Sequence, residues 1–168
     1  MQRAANEMKH WMIIIIFVCT ATATALVYAG GPDSIIGIWN TEKKDAKIEI
    51  YACGKRYCGK IVWLKEPTYP AHSKVGMLGM PILDSNNPEP SHRTIPLIGL
   101  QMLFDFVFSG NNVWGGGKIY DSDDGKTYSG KMELLSNNKL KLRGYIGIIL
   151  FGGSTIWTKE EGHEEHEY

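Results

Sequence analysis

Tyr51-Ala52-Cys53-Gly54-Lys55-Arg56-Tyr57-Cys58-Gly59-Lys60-Ile61-Val62-Trp63-Leu64 sets two cysteines around a short polar turn, with strand-forming residues on both sides. Glycine and charged residues between such flanks are hairpin chemistry. In an oxidising compartment the pair Cys53 and Cys58 reads as a disulfide that pins the hairpin. Two other roles compete. A redox pair favours a C-x-x-C spacing at a helix start, where a thiol pKa falls; here the spacing is wider and the context is strand, turn, strand. A zinc site needs more ligands, and only His72 and His92 remain within the domain. The structural bridge fits best.

The oxidising compartment is inferred from the leader. Residues 1–10 hold Arg3 and Lys9 against Glu7, Trp11 to Val18 are unbroken apolar, and small residues run from Thr20 to Ala25. Val27-Tyr28-Ala29 then suits a signal peptidase, so residues 1–29 read as a signal peptide cleaved after Ala29. The competing reading is a retained anchor, but the strictly apolar run is shorter than the roughly 20 residues of a bilayer span. The expected destination is the periplasm or the medium, with no stable membrane span after processing. Cys19 is a poor lipoprotein site because bulky Val18 precedes it. Removing 29 of 168 residues leaves 139, enough for one core. That remainder carries 16 basic and 17 acidic residues, which argues against nucleic acid as a partner.

From Ile35 onward the chain has period two. Ala46, Ile48 and Ile50 alternate with Lys47, Glu49 and Tyr51; Tyr128, Met132 and Leu134 with Thr127, Ser129, Lys131 and Glu133; Leu140, Leu142 and Ile146 with Lys139, Lys141 and Arg143. In the same way Met102, Phe104, Phe106 and Phe108 alternate with Gln101, Leu103, Asp105 and Val107. Each segment thus has one face for a core and one for water. Turn residues at 109–112, 122–126 and 136–139 separate them. The pattern predicts strands at 35–41, 46–52, 57–65, 100–108, 113–121, 127–135, 139–146 and 154–159, and at most one helical turn near 89–94. Strands that follow one another antiparallel lose their edges by closing into an up-and-down barrel, with a two-sheet sandwich as the other all-β solution. Trp114-Gly115-Gly116-Gly117-Lys118 suits a strand that bends sharply or is closely approached. The domain is assigned to residues 30–160, followed by a polar tail at 161–168, where His163 and His166 lack any fixed ligand geometry.

One long connection, about 66–99, holds six of the seven prolines. Such loops are uncommon in compact domains and often form mouths or lids. Its apolar residues, Ile82, Leu83, Leu97 and Ile98 among them, imply that it packs against something.

Taken together, Gly37-Ile38-Trp39, Cys53 to Leu64, Asp84-Ser85-Asn86-Asn87-Pro88, Arg93, Pro96 to Leu100, Trp114 to Asp121, Asp124 to Tyr128 and Leu142-Arg143-Gly144 resemble an exported bacterial family catalogued as domain of unknown function number 2147. The resemblance spans Ile36 to Thr158 and implies a lipocalin-like barrel. Gly-x-Trp is similar to the first-strand signature of lipocalins, which implies that Trp39 closes one end with Arg143 packed on it. Family members often have a further cysteine near the start of the last strand, where this chain has Phe151 and Gly152. The family's own activity is not established, so the resemblance implies fold rather than function.

No nucleophile elbow, phosphate loop or two-histidine metal motif occurs. Asp121, Asp123 and Asp124 miss the calcium-loop pattern, because Gly125 is fifth and Met132 twelfth. The expectation is a non-enzymatic binding protein without metal or cofactor, its small apolar or amphipathic ligand facing Met102, Phe104, Phe106, Phe108, Tyr128 and Met132. Asn86, Asn87, Arg93, Lys60, Lys118 and Tyr120 are the candidates to orient a polar head at the mouth; loop capping and surface solvation compete for each. The alternative is an envelope interaction module, whose barrel is filled with side chains and merely displays the long loop.

Overall fold

The computed structural model describes residues 30–70, 78–147 and 152–160. The leader, the tail, His72 and Phe151 lie outside the described residues. Eight strands pair in chain order: β1 (Gly37–Asn40), β2 (Ala46–Cys53), β3 (Arg56–Leu64), β4 (Gln101–Gly110), β5 (Val113–Asp121), β6 (Lys126–Ser136), β7 (Lys139–Tyr145) and β8 (Gly152–Lys159). All neighbours are antiparallel, and β8 returns to β1 through Trp39 opposite Lys159 and Asn40 opposite Thr158, which closes the barrel. The barrel expected from the alternating pattern is therefore the observed fold, and the sandwich is not. A helical turn does form at Pro90–His92, one 3-10 turn long. Among the described residues no helix is long and apolar enough to cross a membrane.

One end of the barrel is plugged. A 3-10 turn at Pro32–Ile35 lies across it and buries Ile35. Trp39 donates its indole N–H to the Ile35 carbonyl at 2.8 Å, and Trp114 donates to the Pro32 carbonyl at 3.0 Å. The Tyr57 hydroxyl donates to Asp33 at 2.7 Å. Burial, then the hydrogen bond and charge of Asp33, push the Tyr57 hydroxyl pKa up to about 12. Behind this plug the barrel is packed solid by Trp39, Ile50, Tyr57, Phe106, Trp114, Met132, Leu134 and Leu140. Gly117 and Gly130 make room for the Phe106 ring; a Cβ on either would lie within 2.5 Å of it. The glycine-rich run in β5 thus serves close approach, by an aromatic side chain.

The cation over Trp39 is Lys159, with Nζ 5.4 Å from the ring centroid and 3.2 Å from the Ser34 carbonyl. This corrects the expected Trp39–Arg143 pairing. Arg143 sits on β7, which does not border β1, and its guanidinium donates to Ser154 on the neighbouring strand at 3.0 Å. Ring closure brings the end of β8, not β7, beside Trp39. Burial lowers the Lys159 pKa.

Candidate functional site

The hairpin quoted above forms as expected, and Cys53 and Cys58 are bonded, with Cα atoms 5.9 Å apart. Cys53 lies opposite Arg56 and Cys58 opposite Tyr51, so the bridge runs diagonally across the ladder at the plugged end.

The opposite end is open. A cavity of about 780 Å³ lies between the β1–β2 loop, the long connection and the β5–β6 turn. Its floor is apolar: Ile48, Ile61, Met102, Ile119, Leu142 and Trp157. Ile82, Leu97 and Leu100 of the long connection add apolar wall. The rim is polar, with Thr41, Asp45, Lys65, Glu66 and the segment 120–123. Such a concave, mostly apolar space with a few polar groups at one side has the size and lining of a small-ligand pocket.

Of the six side chains expected to face a ligand, the structure brings only Met102 to this cavity. Phe106 and Met132 are buried in the packed half, and Phe108 packs there against Trp114 at 4.9 Å between ring centroids. Tyr128 is half-buried and donates its hydroxyl to Asp124. Phe104 is a correction: it pairs with exposed Lys118 on the outer face, while Leu103 is fully buried. Two irregularities in the β3–β4 ladder break the count of two. Leu103 takes the interior place opposite Gly59, and Asp105, with φ at +60°, absorbs the extra residue before Phe106.

Of the six polar candidates, the structure brings only Tyr120 to the rim of this cavity. Lys60 pairs with Glu49 at 3.1 Å and Lys118 donates to Ser129 at 3.2 Å, both on the outer wall, because they alternate with inward Ile61 and Ile119. The other four fasten the long connection. Asn86 donates to the Ser122 and Asp123 carbonyls, each at 3.0 Å. Arg93 donates to the Asn87 carbonyl at 2.7 Å. Asp84 receives Tyr120 Oη–H at 2.7 Å and the Asn87 side-chain amide at 2.6 Å. Burial, then the hydrogen bond and charge of Asp84, raise the Tyr120 pKa far above that of a free phenol.

Asp84 is 1 % exposed and the one buried charged side chain among the described residues. Nothing local in the sequence marks an aspartate in a proline-rich loop as buried, so no role is expected for it there. Tyr120 carries the outward register of β5, opposite exposed Thr127, and the long connection covers it. The connection thus crosses the mouth and grips the barrel from outside. Asp121 and Asp124, in turn, accept backbone N–H groups of their own turn, from Asp123 and Lys126.

A closed eight-stranded meander, plugged at one end and open at the other, defines a lipocalin-like barrel. The chain belongs to the bacterial family described as "Uncharacterized protein conserved in bacteria (DUF2147)", whose profile matches residues 37–159. Among solved structures it is similar to Protein HP1028 from the human pathogen Helicobacter pylori, described as belonging to the lipocalin family. The identity is 22 %, over 77 % of this chain and 84 % of that one, with a TM-score of 0.62. At that identity the likeness establishes the fold alone. No curated protein matches the chain.

Proposed function

We propose that this protein is an exported, non-enzymatic carrier or sensor that holds a small, largely apolar or amphipathic molecule in the open half of its barrel. The single observation behind this reading is the cavity itself, about 780 Å³ over a floor of Ile48, Ile61, Met102, Ile119, Leu142 and Trp157. A greasy floor under a polar rim suits a ligand that enters apolar end first. Export is supported by the leader pattern of residues 1–29 and by the Cys53–Cys58 bridge, which fit a protein of a bacterial family.

The test is direct. Protein purified from its own cell envelope should carry a bound adduct in native mass spectrometry, and stripped protein should enhance the fluorescence of N-phenylnaphthylamine. Leu142→Trp, which fills the floor, should abolish the enhancement while circular dichroism stays unchanged. A stripped wild-type protein that ignores the dye, or a Trp variant that binds it equally, would end this reading.

A second reading, an envelope interaction module, draws support from the apolar side chains exposed on the long connection, with Leu78 at 71 % and Met80 and Ile98 also exposed. In-cell crosslinking that depends on Leu78 and Met80 but not on Leu142 would favour it.

A further inference from the structure

We propose that residues 80–98 form a strap across the cavity mouth, and that its Asp84–Tyr120 clasp controls how fast a ligand enters and leaves. This inference rests on the binding reading above and adds to it a moving part.

The strap is ordered partly on itself and partly on residues 67–69, which precede its first joint. Leu97 N–H donates to the Ile82 carbonyl at 2.9 Å, Asp84 N–H to the Ile95 carbonyl at 2.9 Å, and Ile82 N–H to the Pro67 carbonyl at 3.0 Å. Thr68 bridges Pro81, and Leu83 bridges Pro96. The result is a narrow ribbon whose underside, Ile82 and Leu97, is cavity wall. It begins beside Gly79 and ends at Gly99, with φ at +78° and +94° and open space around both. Glycine reaches those angles without steric cost, which places a backbone joint at each end. Between the joints the side-chain grips on the barrel are Asp84 on Tyr120 and Asn86 on the β5–β6 turn.

The chemistry of the clasp suits a releasable grip. A carboxylate is costly to bury, and here two neutral donors compensate it, the Tyr120 hydroxyl and the Asn87 amide. Swinging the strap outward returns the carboxylate to water, so the lost hydrogen bonds are exchanged for solvent ones. Opening therefore uncovers the floor without stranding a charge. Tyr120 belongs to the polar rim and not to the apolar floor, so the clasp can be changed while every floor side chain is kept.

The experiment measures dye release by stopped flow and amide exchange by mass spectrometry, on the full processed chain. Tyr120→Phe removes one clasp donor. Asp84→Asn with Tyr120→Phe removes both the donor and the buried charge, so it reports on the strap even where the single variant is poorly folded. A hydrogen bond to a charged group supports an acceleration of roughly ten- to a hundredfold in N-phenylnaphthylamine release. Amides of Tyr69 and Ile82, which donate to Met80 and Pro67 across the attachment of the strap, should exchange faster, while those of β2 and β3 should not. Leu134→Ala, in the packed half, lowers stability without touching the strap and should change neither readout. Unchanged release and exchange in both clasp variants would overturn the proposal, as would equal acceleration in Leu134→Ala. Failure of every protein, wild type included, to bind the dye would remove the binding reading and the gate with it. Dye binding with indifferent clasp variants would remove the gate alone.

Discussion

Gly130→Ala tests whether the half of the barrel below the cavity is truly full. A Cβ at position 130 would lie 2.5 Å from Phe106 Cζ, 2.9 Å from Cε1 and 3.0 Å from Ile119 Cγ1. Carbon atoms rest at about 3.5–4.0 Å, so the ring must retreat by roughly 1 Å. Phe106 has no exposure and nowhere to go. Overpacking of this kind costs about 1–3 kcal/mol, and the smaller unfolded-state entropy of alanine returns about 0.4–1 kcal/mol. The net loss should be about 1–2 kcal/mol, a fall in Tm of roughly 3–10 °C for a domain of this size. Gly117→Ala should be worse, since its Cβ would meet the Phe104 backbone carbonyl at 2.7 Å as well as the ring at 2.4 Å, and backbone yields less than a side chain. Gly115→Ala, with nothing within 4 Å, should stay within about 0.5 kcal/mol of wild type. Shrinking the ring with Phe106→Leu should rescue Gly130→Ala, with a coupling of about 1 kcal/mol in a double-mutant cycle of urea melts. Wild-type stability in Gly130→Ala, or strictly additive losses in the cycle, would refute the packing argument.

Two further outcomes follow from the bridge and the tyrosines. Replacing Cys53 and Cys58 by serine opens a loop of only six residues, so the loss in a chemical denaturation midpoint should correspond to about 2 kcal/mol and no more. The raised Tyr57 and Tyr120 pKa values mean that the folded state holds protons the unfolded state has lost above pH 10. Their contribution is whole below pH 10 and is lost as pH climbs, for Tyr57 across about 10 to 12. Alkaline melts should therefore fall by at most about 1.4 kcal/mol per pH unit for each group, and Tyr57→Phe should flatten its share. An unchanged alkaline slope in that variant would contradict a phenol buried beside Asp33.

The fold was legible wherever the ladder is regular. Ile48, Ile50, Met132, Leu134, Leu140 and Leu142 all sit inside, as period two requires. It failed at β4, where irregular pairing shifts parity and exchanges Phe104 for Leu103, and at Ile146, which lies past the end of β7 and is exposed. The site was less legible, for two physical reasons. The packed half and the empty half share one inward face, so the aromatic stripe could not reveal which level is vacant. Lys159 meets Trp39 only because the ring closes, and Asp84 is buried only because the strap docks on Tyr120; both are facts of distant contact. Asn86, Asn87, Arg93 and Tyr120 carry polar groups that a sequence cannot assign to a ligand or to the chain, and here they bind the chain to itself.

The seam between β1 and β8 sets the order in which the ring can be assembled. Every other pairing joins consecutive strands, most of them through short turns, whereas Trp39 and Lys159 are 120 positions apart. Bringing those ends together costs about 4 kcal/mol in chain entropy beyond a constant, against well under half that for a tight hairpin. Only two residue pairs span that junction. The tryptophan, its lysine lid and the Pro32–Ile35 turn are thus a final stitch, holding as a cylinder what would otherwise remain a curled ribbon.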